Sequence, residues 1–180
     1  GWHIECSAMS QKFLGSNIDI HAGGEDLAFP HHENEIAQSE SYNACNGCAD
    51  TTFTKIWLHN AYILTDGQKM SKSGISFKVR DAAAKYSYEA IRFFIISAHY
   101  RSPVNYSEEA MHQAQVSVER FNTCEENLTF RIKAAKENGA RVEIDDVEKE
   151  RLEAFYSRRT QMCKALDNDF NTADGIASVF

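Results

Sequence analysis

The sequence predicts an α/β fold that gives way to an all-α region near residues 101–106. Three stretches carry that prediction. Residues 17–40 read as strand, glycine-rich turn and helix: Asn17-Ile18-Asp19-Ile20 alternates, Gly23-Gly24 lets the backbone turn tightly, and His31 onward continues as a helix. Residues 55–64, from Lys55-Ile56-Trp57 to Tyr62-Ile63-Leu64, are rich in apolar and aromatic side chains and suit a buried strand of a parallel sheet. Beyond Ser107, apolar residues recur at steps of three and four over long distances, the period of packed helices.

Taken in order, Trp2-His3-Ile4-Glu5-Cys6 alternates and reads as a short strand, with Phe13-Leu14-Gly15 closing a short helix or turn. Pro30 suits the first turn of the helix that follows the Gly-Gly turn, where its missing N–H costs nothing. Cys45-Asn46-Gly47-Cys48 joins a C-x2-C to a strong tight-turn signal. With no second pair of cysteines or histidines beside it, it reads as a surface loop carrying two cysteines. Asp66-Gly67 makes a turn, and Asp81–Tyr86 is a short helix. Ser87 can cap a helix over Tyr88–Ala98, with Ile91, Phe94 and Ile95 on a buried face that Phe93 and Ile96 widen. Ser107 caps the next helix, whose first turn holds Glu108 and Glu109. Its stripe of Met111, Ala114, Val118, Phe121, Cys124, Leu128 and Ile132 suits the seam of a helical bundle, and Asn138-Gly139 closes it. A further helix spans about Asp145–Asp167, with Val147, Phe155, Met162 and Leu166 as apolar positions, and Asn171 or Thr172 caps a third.

Composition narrows the class. The 180 residues are enough for one good core or two small ones, and 43% hydrophobic content is that of a folded protein. No apolar run approaches the roughly 20 residues that span a membrane. The chain opens on Gly1-Trp2 inside a patterned segment and stops at Ser178-Val179-Phe180 in a helix, so it reads as an internal fragment without a leader. A net charge of −7 gives no support to a generic nucleic-acid binder, although a local basic face suffices for a specific one. Five cysteines, an odd number, fit a reduced, cytoplasmic compartment.

Two places offer chemistry. The corner around residues 21–40 is where ligands bind in open α/β sheets. His31 and Glu35 lie four residues apart on one helix face, and Cys6 lies upstream. Thiolate, imidazole and carboxylate are all competent zinc ligands. The same spacing equally describes a solvated histidine at a helix start beside a surface acid. The second place is Lys69-Met70-Ser71-Lys72-Ser73-Gly74, two lysines among small polar residues after a strand. Such a loop can clamp polyphosphate and neutralise charge as pyrophosphate leaves; it can equally be a solvated basic loop.

GWHIECSAM, then DIHAGGEDLAFPHHENEIAQSE, then KMSKS, closely resemble the cysteinyl-tRNA synthetases, which are class I aminoacyl-tRNA synthetases. The resemblance is specific from Gly1 to about Tyr106 and looser to the end. It implies the second half of a Rossmann-like catalytic domain at residues 1–106, and the start of a helical, anticodon-binding type of domain at residues 107–180. The half that carries the His-Ile-Gly-His ATP motif would precede Gly1. The resemblance further implies one zinc ion per subunit, with Cys6, His31 and Glu35 matching three ligands and a second cysteine lying outside this chain. It implies that Trp2 lines the cysteine pocket, that Asp26 holds the substrate amino group, that Lys72 contacts ATP and that Lys69 supports the transition state. Gly74-Ile75-Ser76 stands where the family has Leu-Gly-Asn, a departure that bears on loop closure. The implied activity is cysteine–tRNA ligation with ATP (and Mg2+), L-cysteine and tRNA(Cys) as partners, in a monomer with no membrane attachment. The fragment by itself is expected to be inactive. Two other readings stand beside this one: a related ligase that hands cysteine to an amino-sugar acceptor, and a non-catalytic zinc-binding helical interaction module.

Overall fold

The chain begins with a helix, α1 (Trp2–Leu14), where the short alternation of Trp2–Cys6 predicts a strand. The correction has a clear physical cause. The covered face of α1 consists of His3, Cys6, Ser7, Ser10 and Gln11, at helical spacing but almost wholly polar. A hydrophobic period cannot report a helix whose inward stripe is polar. Gly15, at φ 95°, ends the helix in a conformation open to glycine.

The computed structural model describes residues 1–65, the backbone of 68–69, and residues 78–139 and 143–180. These divide into two compact units, Gly1–Tyr62 and Ile63–Phe180. In the first, strand β1 (Ile18–Gly24) pairs in parallel with β2 (Thr54–Asn60), with His21 opposite Trp57 and Gly23 opposite His59. β1 runs through Gly23 and Gly24, so the predicted glycine turn falls later, in the tight turn Glu25–Leu27. Phe29, extended at φ −134°, kinks the next turn, Ala28–His32, before α2 (Glu33–Cys45). Helices α1 and α2 meet through polar contacts: Ser7 Oγ donates to Gln38 Oε1 at 3.4 Å, and Gln11 Nε2 donates to Asn43 Oδ1 at 3.4 Å.

The second unit holds a three-stranded sheet in the order β4-β3-β5: β3 (Ile63–Thr65) lies antiparallel to β4 (Gln68–Lys69) and parallel to β5 (Val104–Tyr106). The single strand expected over residues 55–64 is thus two strands with different partners. Helices α3 (Val79–Lys85), α4 (Tyr88–Ile96), α5 (Glu108–Asn138), α6 (Asp146–Asp167) and α7 (Thr172–Ala177) follow. Ser87 and Ser107 cap α4 and α5 as expected, accepting from the N–H groups of Ala90 at 3.0 Å and Ala110 at 3.1 Å. Asp145 and Glu148 close a reciprocal capping box on α6.

The core of this unit is Ala82, Tyr86, Ala90, Ile91, Phe94, Met111 and Ala114. Ile95 and Ile96 of the predicted face turn outward. The seam of α5 is covered only over its first turns: Met111 and Ala114 are buried, Cys124, Leu128 and Ile132 exposed. Length explains this, because α4 is about 14 Å long and α5 about 46 Å. Phe121 is met instead by Phe93 and Phe180, with ring centroids at 6.0 and 4.8 Å. At the α6–α7 turn, Asp169 and Phe170 adopt φ of 55° and 53°. Tyr100 and Arg101 donate to Asp169 from 2.6 and 2.7 Å and hold that turn.

Candidate functional site

The buried stripe of α2 and its lead-in turn is His31, Glu35, Ser39 and Asn43, spaced one turn apart, with His32 beside His31, and every one is polar. Asn43 is fully satisfied: its amide donates to the carbonyls of Ser16 at 3.0 Å and Thr51 at 3.3 Å and accepts from Gln11. Glu35 is not. It is 0% exposed, and neither of its oxygens accepts a hydrogen bond. Imidazole nitrogens approach instead, His31 Nε2 at 2.7 Å from Oε1 and His21 Nε2 at 3.6 Å from Oε2. Burial pushes the Glu35 carboxyl up to about 7.

Cys6, on the covered face of α1, brings its sulfur to this carboxylate. One ligand atom each from Cys6, His31 and Glu35 lie within 4.8 Å of one another. Burial, with the Glu35 and Glu5 carboxylates near, pushes the Cys6 thiol up. A cation among these atoms would reverse both effects. A buried carboxylate without hydrogen-bond donors, an imidazole and a thiol are the donor set of a zinc-type ion, and the residues present fit one.

Trp2 is largely exposed and leans on the His31 ring at 4.4 Å between centroids. Asp26 sits in the Glu25–Leu27 turn and folds back over Gly24, where a Cβ would come within 2.6 Å of its Oδ1. Lys69 ends β4, and only its backbone is described; Lys72 lies outside the described residues. The structure therefore brings together Cys6, His31, Glu35 and Trp2.

A second group escaped the sequence reading. His21 stacks on Trp57 at 4.6 Å and 23°, and His32 lies 2.8 Å from His59, Nδ1 to Nε2. Burial, with the neighbouring imidazoles His21, His59 and His31, pulls His32 down to about 4; burial, then His31 and His59, lowers His21. The parity of the strands carried a signal: His21 and Gly23 share one face of β1, and Trp57 and His59 the matching face of β2. All five cysteines are unpaired, and no helix among the described residues is long and apolar enough to cross a membrane.

Residues 1–116 match a family model described as tRNA synthetases class I (C) catalytic domain. The chain is 46% identical over 181 residues to a cysteine–tRNA ligase of Clostridioides difficile and 47% identical over 182 residues to one of Lachnoclostridium phytofermentans. Each match covers 100% of this chain and 37% of the relative, so the chain spans little more than a third of these curated relatives. Among solved structures, a leucyl-tRNA synthetase of Agrobacterium radiobacter in a ternary complex with tRNA and LeuAMS superposes with a TM-score of 0.71 at 15% identity, over 89% of this chain and 21% of that one. A putative arginyl-tRNA synthetase from Campylobacter jejuni gives 0.58 at 10% identity, over 98% and 40%. At those identities the likeness concerns the fold, an α/β portion with parallel strand pairs followed by helices. With more than half of its length matched by the family model, this chain belongs to the class I (C) tRNA synthetase catalytic-domain family.

Proposed function

We propose that this chain is part of a cytoplasmic, monomeric cysteine–tRNA ligase. In this reading residues 1–106 are the second half of its catalytic domain and residues 107–180 the start of its helical region. The observation that carries the reading is the convergence of Cys6, His31 and Glu35 on one buried, hydrogen-bond-poor carboxylate. The names of the relatives, cysteine–tRNA ligases at 46–47% identity, support the same reading.

Cysteine and serine differ by sulfur against oxygen, too small a steric difference for a pocket to sort well. Zinc held by Cys6, His31 and Glu35, with one ligand from outside this chain, would supply a soft acceptor for the substrate thiolate. The chain's own residues do the rest. Glu35 stays ionised beside a cation and keeps His31 oriented toward it. Trp2 walls the pocket against His31, and Asp26 offers a carboxylate to the substrate ammonium. Lys69 and Lys72 neutralise charge on ATP (as its Mg2+ complex) while cysteinyl-adenylate forms, before transfer to tRNA(Cys). Positioning and charge stabilisation suffice, and no general acid or base is required.

ATP–pyrophosphate exchange by the full-length protein tests this. Exchange that requires cysteine, ignores serine, and falls about 100-fold or more in Lys72→Ala is the expected result. Charging of tRNA, and not of an amino sugar, identifies the acceptor. No exchange with either amino acid, or equal exchange with serine, overturns the reading. The isolated 180-residue chain, which spans 37% of the length of these relatives, is expected to show no exchange.

A further inference from the structure

Glu35 turns its two oxygens to two different sets of neighbours. Oε1 meets His31, and Oε2 faces His21. On the Oε2 side, His21, His32 and Glu35 each bring one ligand atom to within 4.8 Å of the others. This triad contains no sulfur and uses neither Cys6 nor His31.

Three features show a built site. First, His32 Nδ1 lies 2.8 Å from His59 Nε2. With the proton on Nδ1, His32 donates to His59 and keeps a lone pair on Nε2, the arrangement found behind metal-ligating imidazoles. Second, strand β1 carries glycine where it passes this ring. A Cβ on Gly23 would stand 3.0 Å from His32 Nε2 and 2.8 Å from Cε1, so any other residue would fill the space beside that lone pair. Third, His21 is held by stacking on Trp57 and turns Nε2 to Glu35 Oε2 at 3.6 Å, too far for a hydrogen bond. A buried carboxylate that accepts no hydrogen bond and is faced by imidazole nitrogens is a costly arrangement that a cation resolves.

We propose that Glu35 serves two divalent-cation sites, one on each face of its carboxylate. The second, formed by His21, His32 and Glu35, takes a borderline transition-metal ion such as zinc or cobalt. Imidazole and carboxylate donors select that class over calcium or magnesium. The second site is the weaker of the two, because the dications repel across the shared carboxylate and three protein ligands leave a coordination position to water. The count of two sites rests on Cys6, His31 and Glu35 forming a metal centre, whereas the His21–His32–Glu35 site stands without it.

Cobalt titration of the chelator-stripped full-length protein tests the proposal. Thiolate-to-cobalt charge transfer in the near ultraviolet reports the Cys6 site, and the visible bands report both. In the wild type, the visible bands should keep growing after charge transfer saturates. Cys6→Ala should lose charge transfer and still bind cobalt. His32→Gln should keep full charge transfer, which certifies its fold, and bind the later ion at least about tenfold more weakly. A wild type whose visible bands stop with charge transfer overturns the proposal. So does a later ion that His32→Gln leaves untouched. Visible bands that depend on His32, in a protein without charge transfer, would overturn the sulfur site and leave this one standing.

Discussion

The two compact units bury opposite kinds of side chain. In Ile63–Phe180 the buried set is apolar, centred on Ile91, Phe94 and Met111. In Gly1–Tyr62 the apolar members are Ile18 and Phe53, and the others are Ser7, His31, His32, Glu35, Ser39, Asn43 and Thr54. Hydrophobic burial stabilises the second unit directly. The first has little such return and must satisfy its polar groups one by one or carry the cost. Asn43 is satisfied and reads as architecture. Glu35 is buried to the same degree without hydrogen bonds, and it is the residue around which the ligand atoms gather. Ser39 and Thr54 also bury hydroxyls without partners, so what marks the site is an unsatisfied group that is ionisable and ringed by ligand atoms.

The comparison breaks most visibly if the apolar unit is opened. Phe94→Ala should destabilise that unit by about 3–5 kcal/mol, read from the urea midpoint of the protein. A loss below about 1 kcal/mol would mean that Phe94 is not the centre of a packed core. Next in size is the pH dependence of the metal-free protein. Glu35 is raised from an ordinary carboxyl value to about 7. A carboxyl raised on folding favours the folded state while it is protonated. That stability is present in full below about pH 4.5 and is lost as pH rises toward 7, roughly 3 kcal/mol in all. Glu35→Gln should flatten this profile. Zinc should reverse its slope, because a cation binds the ionised form and gains affinity as pH rises.

How far each unit could be read from sequence follows from the same contrast. The Ser87 and Ser107 caps, the extents of α5 and α6, and the Ile91–Phe94 face were all legible, because apolar spacing and capping chemistry act locally. Helix α1 was not, since its inward face of His3, Cys6, Ser7, Ser10 and Gln11 gives no hydrophobic period. The break between β2 and β3 was also hidden. Asn60-Ala61-Tyr62 changes the strand's partner from β1 to β5, about 40 residues later in the chain, and no local pattern encodes that. The spacing of His31 and Glu35 was visible, and so was Cys6 upstream of them. The second histidine set was not, because it needs the register that sets His21 beside Trp57 and Gly23 beside His59.

Within the polar unit itself, two neighbouring positions on one face of α2 sharpen the distinction. Asn43→Ala removes the amide that ties Ser16, Thr51 and Gln11 together and strands two carbonyls, so it should cost about 2 kcal/mol. Ser39, one turn earlier, is only 1% exposed, and its hydroxyl has no partner. It carries the cost of a buried polar group without the hydrogen bond that offsets it. Ser39→Ala should therefore be neutral or slightly stabilising, within about 0.5 kcal/mol of zero or above it, by the same urea measurement. The pair separates two accounts of a polar interior. If every polar residue on this face contributed through hydrogen bonding, both substitutions would destabilise. If the face is polar because it packs around a charged centre, with only some members bonded, Asn43→Ala will cost and Ser39→Ala will not. A loss of about 1 kcal/mol or more at Ser39 would place an unseen partner, such as an ordered water, on its hydroxyl and favour the first account.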